Sequence, residues 1–173
     1  MTTLERAEPS TTADERTMLE GWLEYHRTTL AVKCEGLDDK QLREASAAPS
    51  CLTLLGLVRH MAEVERAWFR RDMAGESMDT AGPIYYTDQD PDGDFTLVEQ
   101  GTAEEGFGTW RSEIARAREI AAAHSLDDLN LGEHPSGKRF NLRWIYTHMI
   151  EEYARHNGHA DLLRERIDGV TGD

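Results

Sequence analysis

The sequence predicts an all-α protein organised as a four-helix bundle. Three observations carry this. Four long stretches place apolar residues three and four apart, two long Gly- and Pro-bearing connections separate them, and no run of alternating β-branched residues is long enough to propose a sheet. Amphipathic helices with no sheet to cover bury their apolar stripes against one another, which a bundle does most simply.

The first helix is predicted from about Ala13 to Lys33, with Leu19, Trp22, Leu23 and Leu30 on one side, followed by a short acidic turn from Leu37 to Leu42. The second begins after Ser50 or Thr53, either of which can cap it. It carries Leu54, Leu57, Met61, Val64 and Trp68 in a stripe and ends near Met73, before Gly75. From Gly75 to Gly101 the chain has Pro83, Pro91 and acidic residues around the apolar cluster Ile84, Tyr85 and Tyr86, a connection long enough to suggest function. The third helix starts with the capping box Thr102-x-x-Glu105, and Phe107, Trp110, Ile114, Ala117 and Ile120 follow it inward. Ser125 to Phe140 is irregular, with room for a short hairpin, and Asn141 caps the fourth helix, which runs to about Ile167.

Length and charge bound the function. The 173 residues suffice for one domain, expected over residues 13–173 behind a flexible arm of residues 1–12. A net charge of −14 argues against nucleic acid, whose binding rests on neutralising phosphates, and favours a small-molecule partner. Neither a membrane-spanning run nor an apolar leader segment is visible, so a cytoplasmic protein with no membrane partner is expected. Cys34 and Cys51 read as two small buried thiols rather than a disulfide or metal knuckle.

The fourth helix carries the chemistry. At about 100° per residue, Ile145, Met149, Leu163 and Ile167 share a narrow stripe, and Glu152 and His156 fall within it. An ionised Glu on an apolar face needs compensation, and a divalent cation shared with His156 and a third ligand from another helix supplies it. A bare E-x-x-x-H is common as a solvated pair, so the stripe position is what gives it weight. His60, bordering the stripe of Met61 and Val64, is the candidate third ligand, although a lone His beside an apolar face is more often a hydrogen-bonded core residue. His159 flanks the same face as an alternative or orienting ligand. His26, beside Trp22 and Leu23, can line the site from the opposite wall, with a satisfied core imidazole as the plainer reading. His148 lies farther round, His124 suits a helix C-terminus, and His134 reads as an exposed loop residue. The acidic run Asp88 to Asp94 reads as solvated loop charge, because Pro91 and a missing twelfth-position Glu spoil an EF-hand.

Two segments together resemble a known family. Leu54-Leu55-Gly56-Leu57-Val58-Arg59-His60-Met61-Ala62-Glu63-Val64-Glu65-Arg66-Ala67-Trp68-Phe69 and His148-Met149-Ile150-Glu151-Glu152-Tyr153-Ala154-Arg155-His156-Asn157-Gly158-His159-Ala160-Asp161 resemble the mini-circle protein branch of the DinB/YfiT-like superfamily, an actinobacterial branch similar to mycothiol S-transferases. The resemblance implies a DinB-like four-helix bundle that binds a divalent metal, zinc foremost, through His60, Glu152 and His156. Many relatives have His where Glu152 stands, but the mycothiol-dependent maleylpyruvate isomerases use Glu and His at this spacing. Where His159 stands, many relatives carry Gln.

The implied activity is a metal-dependent thiol S-transferase that joins mycothiol, as co-substrate, to an electrophile. The nucleophile is then the metal-activated thiol, so no catalytic side chain is assigned, and Tyr85 and Tyr86 are candidate pocket walls. Two alternatives stand beside it: a metal-dependent hydrolase, and a non-catalytic bundle with a vestigial metal site. Relatives occur as monomers and dimers, which leaves a homodimer open.

Overall fold

The computed structural model describes residues 5–172, so the first four residues of the expected arm lie outside it. Helix α1 (Glu15–Cys34) starts where the Asp14 carboxylate accepts the Thr17 N–H. The acidic turn forms α2 (Asp39–Leu42), closed by a reciprocal capping box between Asp38 and Gln41. Of the two cap candidates for α3 (Leu54–Glu65), Thr53 is used, its hydroxyl accepting the Gly56 N–H at 2.9 Å.

Helix α3 continues without a break into a π-helical stretch, Arg66–Met73. Its wider winding shows in the bond from the Ala74 N–H to the Phe69 carbonyl, five residues back. The periodicity of Leu57, Met61, Val64 and Trp68 predicts one helix here, and the change of winding is not visible in it.

The connection after this helix holds two single turns, α4 (Met78–Ala81) and α5 (Gly93–Thr96). Helix α6 (Ala103–Ala122) has the predicted Thr102–Glu105 capping box. Helix α7 (Leu142–Asp168) is capped by Asn141, which accepts the Trp144 N–H, and stops at Gly169 in a left-handed conformation. The room for a hairpin before α7 reduces to an isolated bridge between Leu129 and Asn141.

Helix α1 packs on α7, α7 on α3, and α3 on α6, with α5 seated on α3. Leu30, Leu57, Met61, Ile145, Met149 and Tyr153 are fully buried between them, each contributing on the order of 2 kcal/mol by leaving water. The architecture is the all-α bundle that the stripes predict, and among the described residues no helix is long and apolar enough to cross a membrane. One expectation fails at the thiols. Cys34 is buried and its thiol is pushed up to about 12 by that burial, but Cys51 is exposed, because it precedes the Thr53 cap in an irregular segment.

The core also contains charge. Glu65, at the end of α3, takes a two-pronged ion pair from Arg27 at 2.7 and 2.6 Å, and accepts the Tyr153 hydroxyl, which itself accepts the Trp110 indole N–H. Burial, with Glu65 alongside, raises the Tyr153 phenol well above its ordinary value, so it stays protonated and donates.

Candidate metal centre

The α3–α7 seam brings His60, Glu152 and His156 together. Each offers one ligand atom, and these atoms lie within 4.8 Å of one another. His156 Nε2 is 3.4 Å from Glu152 Oε2, and the His60 and His156 rings meet edge to face at 4.6 Å. Ligands on a zinc-sized ion, bonded at about 2.0–2.2 Å in a tetrahedron, stand roughly 3.3–3.6 Å apart. The Glu152–His156 pair already has that separation, so the residues fit a divalent ion with two nitrogens and one oxygen.

The group lies at the rim of the core rather than inside it, with side chains 26%, 23% and 12% exposed for His60, Glu152 and His156. Among the described residues, the ion-pair partners of Glu152 are imidazoles, with His148 Nε2 at 3.5 Å on its other oxygen. The hydrogen bond from His156 lowers its pKa despite partial burial, so it is a carboxylate at neutral pH.

The orientation of both imidazoles is fixed from behind. His60 Nδ1 is 2.8 Å from Asp94 Oδ2, which leaves Nε2 as its nitrogen for a cation. His156 Nδ1 faces His159 Nδ1 at 3.3 Å, and burial lowers the His159 pKa, so the His159 ring is neutral near pH 7 and its Nδ1 can accept from His156 in one of its two tautomers. His159 thus sits behind His156.

Asp94 corrects the reading of Asp88 to Asp94 as solvated charge: it is 4% exposed, on α5, and bonded to His60. What seats it is the residue beside it. Phe95 stacks on His60 at 5.4 Å and rests over Gly56, where a Cβ would come within 2.7 Å of the ring. Gly93 lets α5 pass close to the Tyr85 carbonyl, 2.2 Å from where a Cβ would stand. The loop before α5 is tied by Glu63, whose buried carboxylate accepts the N–H groups of Ile84 and Tyr85 at 2.6 Å each. Burial pushes Glu63 above the ordinary carboxylate range while those donors work against it. Nothing in the local sequence distinguishes Asp94 or Glu63 from a solvated carboxylate.

The other candidates are placed elsewhere. His26 lies on α1, its carbonyl accepting the Asn157 side-chain amide at 3.0 Å, and it is not among the converging atoms. Tyr85 lies under the Arg59 guanidinium at 4.7 Å and lines a cavity of about 300 Å³, whereas Tyr86 lines another of about 380 Å³ with Arg71. Neither cavity is lined by His60, Glu152 or His156. His134 is not a solvated loop residue, since its ring stacks on Trp68 at 5.2 Å. His148 is closer to the site than expected, because it too stands four residues from Glu152, on the opposite side from His156.

No curated protein matches the chain. The mycothiol-S-transferase family model matches residues 18–169, from within α1 to the end of α7, and both His60 and the Glu152–His156 pair fall inside it. The chain therefore belongs to the mycothiol-S-transferase family and is, by that membership, a thiol transferase enzyme with mycothiol as its co-substrate.

Proposed function

We propose that residues 13–173 form one catalytic unit that joins the sulfur of mycothiol to an electrophilic carbon, with a divalent cation, zinc foremost, held by His60, Glu152 and His156. The convergence of these three donor groups within 4.8 Å, from two helices, is the observation that carries this reading. A cation there supplies Lewis acidity, which keeps a thiol as thiolate near neutral pH.

The chain's own residues do the rest by orientation. Asp94 accepts the Nδ1 proton of His60 and keeps its ring turned with Nε2 toward the other two ligands. His159 does the same for His156. Glu152 contributes the negative charge, and the partial exposure of all three side chains lets solvent-borne molecules reach the group. In the transfer, a sulfur–carbon bond forms while the carbon's leaving group departs with its electron pair, or, in a conjugate addition, while the π pair shifts and is later protonated by solvent.

The test is direct. Metal-replete protein should conjugate mycothiol to a bimane electrophile, and His156→Ala should abolish it; unchanged activity in that variant rejects the assignment. Product formed without thiol would indicate hydrolysis instead, and substoichiometric metal in protein purified without chelator would indicate a vestigial site.

A further inference from the structure

Trp144, His148, Glu152 and His156 stand at successive intervals of four along α7, so one strip of the helix carries rings at one end and the candidate ligands at the other. Trp144 stacks on His148 at 5.0 Å and leans on Phe140 at 4.4 Å, and Trp68, from the π-helical stretch, meets His148 at 4.6 Å and Trp144 at 5.2 Å. His148 joins this cluster to the metal group through its 3.5 Å approach to Glu152.

A cluster that only pinned the preceding loop would bury its rings. Phe140 and Trp68 are partly buried against the core, but Trp144 keeps 43% of its surface exposed. Indole faces are electron-rich and attract flat, electron-poor π systems. From Trp144 to Glu152 is eight residues, about 12 Å along the helix axis.

We propose that this shelf, with Trp144 as its exposed ring, binds the electrophile, and that the electrophile is flat, elongated and conjugated, with an aryl group at one end and the reactive carbon at the other. The inference rests on the thiol-transfer reading above and names the substrate class for that same centre. For an aryl enone, the thiolate forms its bond at the β-carbon, the C=C pair moves to the carbonyl oxygen as an enolate, and a solvent proton completes the adduct.

The test compares two enones with the same terminal CH2=CH–C(O) group, 1-(biphenyl-4-yl)prop-2-en-1-one, whose aryl rings lie on the far side of the carbonyl from the reacting carbon, and but-3-en-2-one, on metal-loaded protein with mycothiol. Trp144→Ala should lower the ratio of kcat/KM for the aryl enone over the small one by about fivefold, the size expected for one aromatic pair. The KM for mycothiol should not carry that loss. Trp144→Phe should retain most of the preference, and Trp144→Leu should lose it, which keeps the comparison available if the alanine variant folds poorly. Equal losses for both enones, or a loss confined to the KM for mycothiol, would overturn the shelf. If wild-type protein conjugates neither enone, the fault lies with the transferase reading. Equilibrium dialysis of the thiol-inert 2-acetylnaphthalene, without thiol, then decides the shelf alone: binding weakened about fivefold by Trp144→Leu supports it, and equal binding or none overturns it.

Discussion

Asp94 holds His60 by a 2.8 Å contact between its carboxylate and Nδ1, although the two residues belong to different elements and are 34 positions apart. A carboxylate behind a ligating imidazole fixes the tautomer and raises the basicity of the other nitrogen, and losing such a partner typically costs about 10–100-fold in metal affinity. Asp94→Asn is expected to weaken zinc binding by at least about tenfold on that scale, measured by competition with a chromophoric chelator. An unchanged affinity would place Asp94 outside the centre's support.

Gly56→Ala tests the same support from its far side. An added Cβ would stand 2.7 Å from the Phe95 ring, so the ring that seats Asp94 has to move. Alanine is the better helix former by about 1 kcal/mol, whereas overpacking costs about 1–3 kcal/mol. The net is a loss of about 0–2 kcal/mol, so the melting temperature should fall by no more than several degrees, at about 2–4 °C per kcal/mol, while metal affinity falls. Intact metal affinity would show that α5 can shift without releasing His60.

How much was legible in the sequence follows from which contacts are local. Glu152 and His156 are four residues apart on one helix, so their meeting is a property of α7, and the caps at Thr53, Thr102 and Asn141 are likewise written within three residues. His60 is a candidate in the sequence because it borders a strong apolar stripe. Asp94 is not, because a seated carboxylate and a solvated one have the same local sequence, and only the packing of Phe95 on Gly56 separates them. Glu65 shows the same limit: its position between Val64 and Trp68 gives no sign that Arg27, 38 residues away, reaches it.

That pair yields a stability prediction. Arg27 and Glu65 side chains are 5% and 0% exposed. Burial works against the Arg27 charge, and Glu65 more than offsets it, so the guanidinium is held charged. Glu65→Leu leaves the buried guanidinium with only the partly exposed Glu24, 2.7 Å from its Nη1, and should cost about 3–5 kcal/mol in urea unfolding. Adding Arg27→Met should recover most of that loss, since a buried pair exchanged for apolar residues of similar volume is often neutral. A double variant no more stable than Glu65→Leu would show that Tyr153 and Trp110 depend on the carboxylate itself.

The pH dependence should carry a contribution from His26. Burial lowers its pKa below the ordinary imidazole value, so the folded state favours the neutral ring while the unfolded chain protonates at about 6.5. Between the lowered value and about 6.5 the unfolded state binds more protons, and stability therefore rises with pH across that window. The contribution is fully present above about 6.5 and is lost as pH falls through the folded-state pKa. The Asn157 side-chain amide donates to the His26 backbone carbonyl at 3.0 Å, so His26→Gln keeps that bond while removing the titration. Urea unfolding at several pH values between 5 and 8 should show a shallower rise for His26→Gln than for wild type; parallel curves would mean that the His26 ring is as easily protonated folded as unfolded.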